Sequence, residues 1–364
     1  MQINFEDYWQ ENKLFFEKIV LNLSSAMKLS SEYEHERYIE DFEKEFAKYN
    51  KSKYVIAVNS GTTALELSLG ACGVKEGDEV IIPSYTYIAT ALAVSNTGAK
   101  PVFVDIKEDT LTMDPDRIRK SLTKKTKAVV AVHIHGNPCD MEGFTKIAKK
   151  YGLAIIEDAA HAHGAEYRGT KVGNFGIGCF SNHTTKNFSG IGNSGLISTN
   201  DVRTYERIKK MIEVKNDPHP EISKRTPCRI DILQAVVLKT KLPYLGEINK
   251  KRRYNAAMYI KKLPKSLLFQ KVEMESRHAY RDFVVLSKNR EELRSNLERA
   301  GIETKVRYTV PLHLTEYYKR PGFKKVDLPV TEKIFNKLLW LPISHALSEE
   351  QIDYIADKIC EFAR

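Results

Sequence analysis

Seven short apolar runs, at residues 54–58, 79–82, 102–105, 128–132, 153–157, 179–181 and 196–198, alternate with stretches whose apolar residues recur at helical spacing. Runs of that length read as strands buried on both faces, and strands separated by helices are joined by crossovers. The pattern therefore predicts an α/β fold with βα units on a mainly parallel sheet flanked by helices. Ligands bind such sheets beyond the carboxyl ends of the strands. That rule gathers Asp158, the Gly61-Thr62 turn and Tyr87 on one rim. At 364 residues, the chain exceeds one typical core. The expected division is a large domain, 1–245, including an N-terminal helical segment, and a smaller C-terminal α+β domain, 246–364. The latter starts with a long helix from about Gly246, then a strand-like 280–286, a helix over 290–300 and a final helix from Ser348.

Asp158 ends the apolar run Leu153-Ala154-Ile155-Ile156-Glu157, and Lys186 follows on a later loop, Ser181-Asn182-His183-Thr184-Thr185-Lys186-Asn187. A buried carboxylate favours the protonated form of a ring nitrogen, and a lysine desolvated near positive charge has a lowered pKa suited to Schiff-base chemistry. The two together fit a pyridoxal phosphate held at both ends of its ring. Each alone has a plainer reading, Asp158 as a helix cap and Lys186 as a solvated lysine. A third attachment lies upstream, where the run 54–58 turns through Asn59-Ser60-Gly61-Thr62-Thr63 into a helix. Hydroxyls and free N–H groups at a helix N-terminus suit a phosphate. Tyr87, in Pro83-Ser84-Tyr85-Thr86-Tyr87, could stack on a planar heterocycle.

The net charge of +10 permits an acidic partner. The basic residues are nevertheless dispersed among acidic ones without interleaved aromatics, so nucleic acid is not expected. Five cysteines, an odd number without paired spacing, argue against a disulfide framework and for a reducing compartment. The N-terminus lacks a signal-peptide layout and no apolar run approaches spanning length, so a cytoplasmic protein without membrane contact is expected. No metal is expected.

The motifs Phe42-Glu43-Lys44-Glu45-Phe46-Ala47, Ser60-Gly61-Thr62, Gly77-Asp78-Glu79-Val80-Ile81-Ile82-Pro83, Pro101-Val102-Phe103-Val104-Asp105, Glu157-Asp158-Ala159-Ala160-His161-Ala162-His163-Gly164, Phe180-Ser181 with Lys186-Asn187, Arg229 with Asp231 and Gln234-Ala235, and Pro311-Leu312-His313 with Leu341-Pro342 follow one another along the chain. In that order they resemble the DegT/DnrJ/EryC1/StrS aminotransferases, nucleotide-sugar enzymes of the aspartate-aminotransferase fold type, fold type I of the pyridoxal-phosphate-dependent transferases. The resemblance covers nearly the whole chain from about residue 35.

The resemblance implies that Lys186 forms the Schiff base with pyridoxal 5′-phosphate, that Asp158 pairs with its ring nitrogen, and that His161 lies near its phenolic oxygen. It implies that Tyr87 stacks on the ring while Gly61, Thr62, Thr63 and Ser181 hold the phosphate. His183, Asn187, Arg229 and His313 become candidates for substrate binding, with Arg229 lent to a neighbouring subunit in a homodimer. The implied reaction moves an amino group from L-glutamate or L-glutamine to a ketosugar nucleotide in amino-sugar biosynthesis. The chain departs from the family pattern at Gly192-Asn193-Ser194-Gly195, where a carboxylate and a second glycine are usual, and at Pro227, where an asparagine is common and Asn216 or Lys224 could substitute. The spacing from Lys186 to Asn193 resembles a branch acting on dTDP-3-keto-6-deoxyhexoses, whereas His183 resembles several enzymes that aminate carbon 4. A 3-keto acceptor is the expectation. A 4-keto nucleotide sugar, an inosose-like carbocyclic ketone, and a non-catalytic sensor or regulator of the same fold are the alternatives.

Overall fold

The computed structural model describes residues 1–212, 228–323 and 325–363. Asn216, Lys224 and Pro227 lie outside the described residues. Strands β1 (Tyr54–Val58), β2 (Glu79–Pro83), β3 (Lys100–Val104), β4 (Thr126–Val132) and β5 (Ala154–Asp158) occupy the first five apolar runs. A short hairpin, β6 (Glu166–Tyr167) and β7 (Thr170–Lys171), precedes β8 (Ile177–Ser181) and β9 (Gly195–Thr199). The seven long strands form one sheet in the order β1-β9-β8-β5-β4-β2-β3. Only β9 runs against its neighbours in this sheet.

Successive strand residues point to opposite faces, and both faces are covered, which is why the runs are apolar throughout. Val80, Ile82, Ala128 and Val130 enter one buried cluster with Leu65 and Leu69 of the helix Gly61–Ala71 and Val94 of the helix Ile88–Asn96. Ile81, Val129 and Ala131 enter another with Ile118 and Phe144, from the helices Pro115–Ser121 and Met141–Tyr151.

The later chain begins with the helix Leu245–Lys262 and contributes β10 (Leu268–Phe269), β11 (Ser276–Arg277), β12 (Phe283–Leu286) and β13 (Leu338–Leu341). Antiparallel β10-β12-β13 forms a second sheet, while β11 pairs with β6. The helices Arg290–Arg299 and Glu349–Phe362 supply Leu293, Leu297, Ile352 and Ile355 to a buried cluster with Val285 and Leu339. Ser348 starts the last helix through a capping box with Gln351. The expected strand over 280–286 begins only at Phe283, because Tyr280 has φ 45°, outside the extended region. Ile3 pairs with Ile302 and packs into this same cluster. No helix among the described residues is long and apolar enough to cross a membrane.

Because β9 runs backwards, its first residue Gly195 sits beside the last residues of β1 and β8, opposite Val58 and Ser181. The approach there is tight: a Cβ on Gly195 would lie 2.5 Å from the Ser60 carbonyl carbon, and one on Gly61 would lie 2.7 Å from Ser181 Cβ. Glycine is required at both positions by contact with the neighbouring strand end. Gly195→Ala is expected to cost ~1–3 kcal/mol of stability, the usual penalty for overpacking, measured by urea unfolding. An unchanged midpoint would mean that the three strand ends relax freely.

Candidate active site

The carboxyl ends of β1, β4, β5 and β8 open into a cavity of about 640 Å³. Its wall includes Gly61, Thr62, Tyr87, Asp158, His161, Ser181, His183 and Lys186, so eight residues singled out from the sequence meet in one place. Asp158 is the last residue of β5 and is buried. Its Oδ2 accepts from Thr90 Oγ1 at 2.8 Å and its Oδ1 from the Ala160 N–H at 3.2 Å. Burial raises its pKa, against the lowering effect of those two hydrogen bonds and of Lys186. A cationic ring nitrogen beside Asp158 would counter that rise.

Lys186 sits on a loop tied closed at its base. The Gly190 N–H donates to the Asn182 carbonyl, the Asn182 N–H to the Ser194 carbonyl, and Asn182 Nδ2 to the Phe188 carbonyl. Gln234 Oε1 accepts from the N–H groups of Ile191 and Gly192 at 2.9 and 3.0 Å. The loop thus holds Lys186 in place even with Asn193-Ser194 where the family pattern has other residues, and Asn193 itself lines the cavity. Desolvation, then the neighbouring Arg281, lowers the Lys186 pKa to about 7, while Asp282 and Asp158 act in the opposite direction. His161 is held neutral by burial and by Lys186, which together push its pKa well below the ordinary histidine value. Its Nδ1 accepts from the His135 N–H at 3.2 Å.

At the phosphate-cradle position, Ser60 caps the helix Gly61–Ala71 by accepting from the Thr63 N–H. The first N–H groups of a helix lack intrahelical partners and face an anion favourably. With the Thr62 and Ser181 side chains alongside, and with no Cβ on Gly61 to fill the space, this end suits a phosphate. The under-compensated carboxylate of Asp158, the desolvated Lys186 amine and the cradle are the three features that pyridoxal phosphate requires. Tyr87 is 59% exposed at the mouth, free to stack on a ring.

Four other candidates lie off the cavity wall. Thr63 Oγ1 is committed to Asn59 Oδ1 at 2.7 Å, inside the cap. Asn187 is buried beneath the loop, donating to Asn249 Oδ1 and the Ala279 carbonyl. His313 is buried with both ring nitrogens engaged, by Ser84 Oγ at 2.6 Å and Glu332 Oε1 at 3.0 Å, and so fastens the end of β2 to the later chain. Arg229 pairs with Glu36 at 2.8 Å on the surface. For Thr63, Asn187 and His313, sequence order reported proximity along the chain and not the direction of the side chain, whereas Arg229 was expected to serve a neighbouring subunit.

The cavity also uses residues that the sequence reading did not single out. His133, Lys305, Arg307 and Tyr308 line it. Arg281 and Asp282 lie behind it: Asp282 pairs with Arg281 at 2.5 Å and with His135 Nδ1 at 3.0 Å, and His135 Nε2 meets the Tyr85 hydroxyl at 2.8 Å. Burial would raise the Asp282 pKa, but Arg281 and His135 outweigh it and hold it well below the carboxylate range. His135, Tyr280 and Tyr308 all adopt positive φ, of 61°, 45° and 57°, a costly conformation for such side chains that clusters here around the site. One signal was available: Lys305 and Arg307 alternate in an extended stretch, which puts two cations on one face.

In the cofactor-free protein, Lys186 is expected to undergo reductive methylation with a midpoint of about pH 7, its reactivity rising with pH as the neutral amine forms. Ordinary lysines titrate near ~10.4. Peptide mapping by mass spectrometry reads the difference, and an ordinary midpoint would show the amine to be solvated.

Over residues 17–360 the sequence matches the DegT/DnrJ/EryC1/StrS aminotransferase family. It is similar to a pleiotropic regulatory protein of Geobacillus stearothermophilus, 37% identical over 335 residues that cover 90% of each chain. It is equally similar to the dTDP-3-amino-3,4,6-trideoxy-alpha-D-glucose transaminase of Streptomyces venezuelae, 37% identical over 329 residues, 89% of this chain and 87% of that one. The fold matches the crystal structure of S. venezuelae DesV in complex with a ketimine intermediate, with a TM-score of 0.92 and 34% identity over 100% of this chain and 99% of that chain. Members of the family depend on pyridoxal 5′-phosphate, the group that the cavity fits. A match over nearly the whole chain, joined to this site, places the protein: it belongs to the DegT/DnrJ/EryC1/StrS family of pyridoxal-phosphate-dependent aminotransferases.

Proposed function

We propose that the protein transfers the amino group of L-glutamate or L-glutamine to a nucleotide-linked ketosugar, a dTDP-3-keto-6-deoxyhexose, in amino-sugar biosynthesis. The observation that carries the transfer chemistry is the shared cavity of Lys186 and Asp158. The similarity to a transaminase of a dTDP-3-amino sugar supports the acceptor.

The cofactor supplies an electrophilic carbonyl and a ring that accepts an electron pair. Asp158, fixed by Thr90 and the Ala160 N–H, is the carboxylate available to its ring nitrogen. The helix start at Gly61 and Thr62, with Ser181, anchors the phosphate. Lys186 has the role of a mobile base. With a pKa of about 7, its Nζ can take a proton from the donor's α-carbon and return it on the next step, and a base poised near the working pH is the efficient choice. His161, neutral in its buried setting, offers a hydrogen bond without adding charge beside Lys186. His183 and Lys305 face the same cavity and give the anionic acceptor polar and cationic partners.

A homodimer with shared sites is part of the same reading. Leu14, Leu21, Met27 and Tyr33 are exposed along the N-terminal helical segment, large apolar side chains that a partner subunit would cover. Arg229 pairs with Glu36 of that segment.

The acceptor is decided by assaying 3-keto and 4-keto dTDP-sugars side by side, with L-glutamate as donor. Turnover of the 3-keto sugar is expected. Turnover confined to the 4-keto sugar would move the site of amination, and turnover of a free cyclitol ketone alone would make the enzyme a carbocycle aminotransferase. An absence of any absorbance change with either amino acid would favour a regulator. Mixing the inactive variants Lys186→Ala and Arg229→Ala is expected to restore partial activity in heterodimers. Verified heterodimers without activity would place both residues in one subunit's site.

A further inference from the structure

Arg307 lines the cavity that holds Lys186, yet its position is set from the other end of the chain. Its Nη2 lies 2.5 Å from Glu6 Oε1, and the same oxygen accepts from Arg281 Nη2 at 3.0 Å. The guanidinium also lies over the Phe5 ring, 5.2 Å from its centroid. The segment that delivers Glu6 is firmly attached: Ile3 and Phe5 are buried, Ile3 exchanges backbone hydrogen bonds with Gly301 and Glu303, and the Phe5 N–H donates to Glu303 Oε2. Glu6 is therefore a positioning residue. Among the described residues it is the one hydrogen-bonding partner of Arg307, so the second Nη2 hydrogen, paired with Nε–H or with Nη1–H, remains as a fork for a ligand. Lys305 adds a second cation to the same wall.

We propose that Arg307, steadied by Glu6, receives the α-carboxylate of the amino donor. This inference rests on the amino-acid-to-ketone reading given above. A guanidinium fork matches carboxylate and phosphate alike, and both substrates of that reaction carry such an anion. Distance along the substrate separates them. The α-carboxylate is bonded to the very carbon whose proton Lys186 must remove. The diphosphate hangs from the anomeric carbon, with part of the sugar ring between it and the ketone. Arg307 shares the Glu6 oxygen with Arg281, whose partner Asp282 lies 3.8 Å from His161 Nδ1. It therefore stands at the end of the cavity where His161 and Lys186 meet, the placement a carboxylate on the reacting carbon needs.

The test uses the cofactor-loaded enzyme and two non-reacting probes in calorimetric titrations, glutarate for the donor and dTDP for the acceptor. Arg307→Gln is expected to weaken glutarate binding about 10- to 100-fold, the range for losing one charge-assisted contact, and to leave dTDP within about twofold, as for an independent site. The L-glutamate half-reaction, followed by cofactor absorbance, should require proportionately more amino acid. Arg307→Lys, which keeps the charge and loses the fork, should fall between the two. Retained dTDP binding and cofactor absorbance show that each variant is folded. Unchanged glutarate affinity overturns the proposal, as does a loss confined to dTDP, which would assign Arg307 to the diphosphate, or an equal loss of both. If the wild-type enzyme takes dTDP but neither binds glutarate nor changes absorbance with L-glutamate or L-glutamine, the donor reading itself falls, a result distinct from any variant-specific one.

Discussion

Placing the amine of Lys186 where water is largely excluded is the constraint around which the rest of the site is arranged. An ammonium group loses hydration there, and Arg281 and Arg307 repel it further, so that its pKa falls to about 7 and the neutral form becomes available near that pH. The same cations would leave the region with excess positive charge if Asp282 did not sit among them, paired to Arg281 and His135 and held ionised by both. His161 responds by staying neutral. Protonation states around the cavity are thus set jointly, and each group's state depends on where its neighbours are held.

Holding them requires backbone that is itself unfavourable. His135, Tyr280 and Tyr308 take left-handed conformations, and the segments carrying them are laced together: the Ala279 N–H donates to the Gly136 carbonyl, and the Asp282 N–H to that of His135. A Cβ on Gly136, at φ 96°, would lie 2.8 Å from the His161 carbonyl oxygen. Local strain of this kind persists only where surrounding structure over-determines it. Here that support comes from the parallel sheet on one side and the β10-β12-β13 sheet on the other, with the N-terminal residues Ile3 to Glu6 joining the latter to the arginines beside the site.

The parts of the site legible in the sequence are those fixed by strand ends. Asp158 and Ser181 terminate apolar runs, and Gly61-Thr62 opens the helix after another, so the parallel-sheet rule brings them to one rim before any coordinates are known. The rest of the site was not legible for two reasons. Arg281, Lys305 and Arg307 come from segments more than ninety positions away, and although the alternation of Lys305 and Arg307 puts them on one face, nothing local announces that this face meets the cavity. Asn187 and His313 belong to recognisable motifs, but their side chains turn inward to tie the fold together.

By itself, the sequence determined the alternation of strand and helix, the mainly parallel sheet, the rim at which chemistry would occur and the carbonyl cofactor that a carboxylate and a lysine together imply. These follow from periodicity, capping and the identity of a few residues at element ends, all of which are local properties of a chain. Tertiary structure alone decided which strand runs backwards, why Gly61 and Gly195 cannot carry a side chain, and how Arg281, Asp282 and Arg307 set the charge of Lys186. Those depend on the approach of segments far apart in sequence, and on electrostatic energies that change steeply with burial and with a few ångströms of separation.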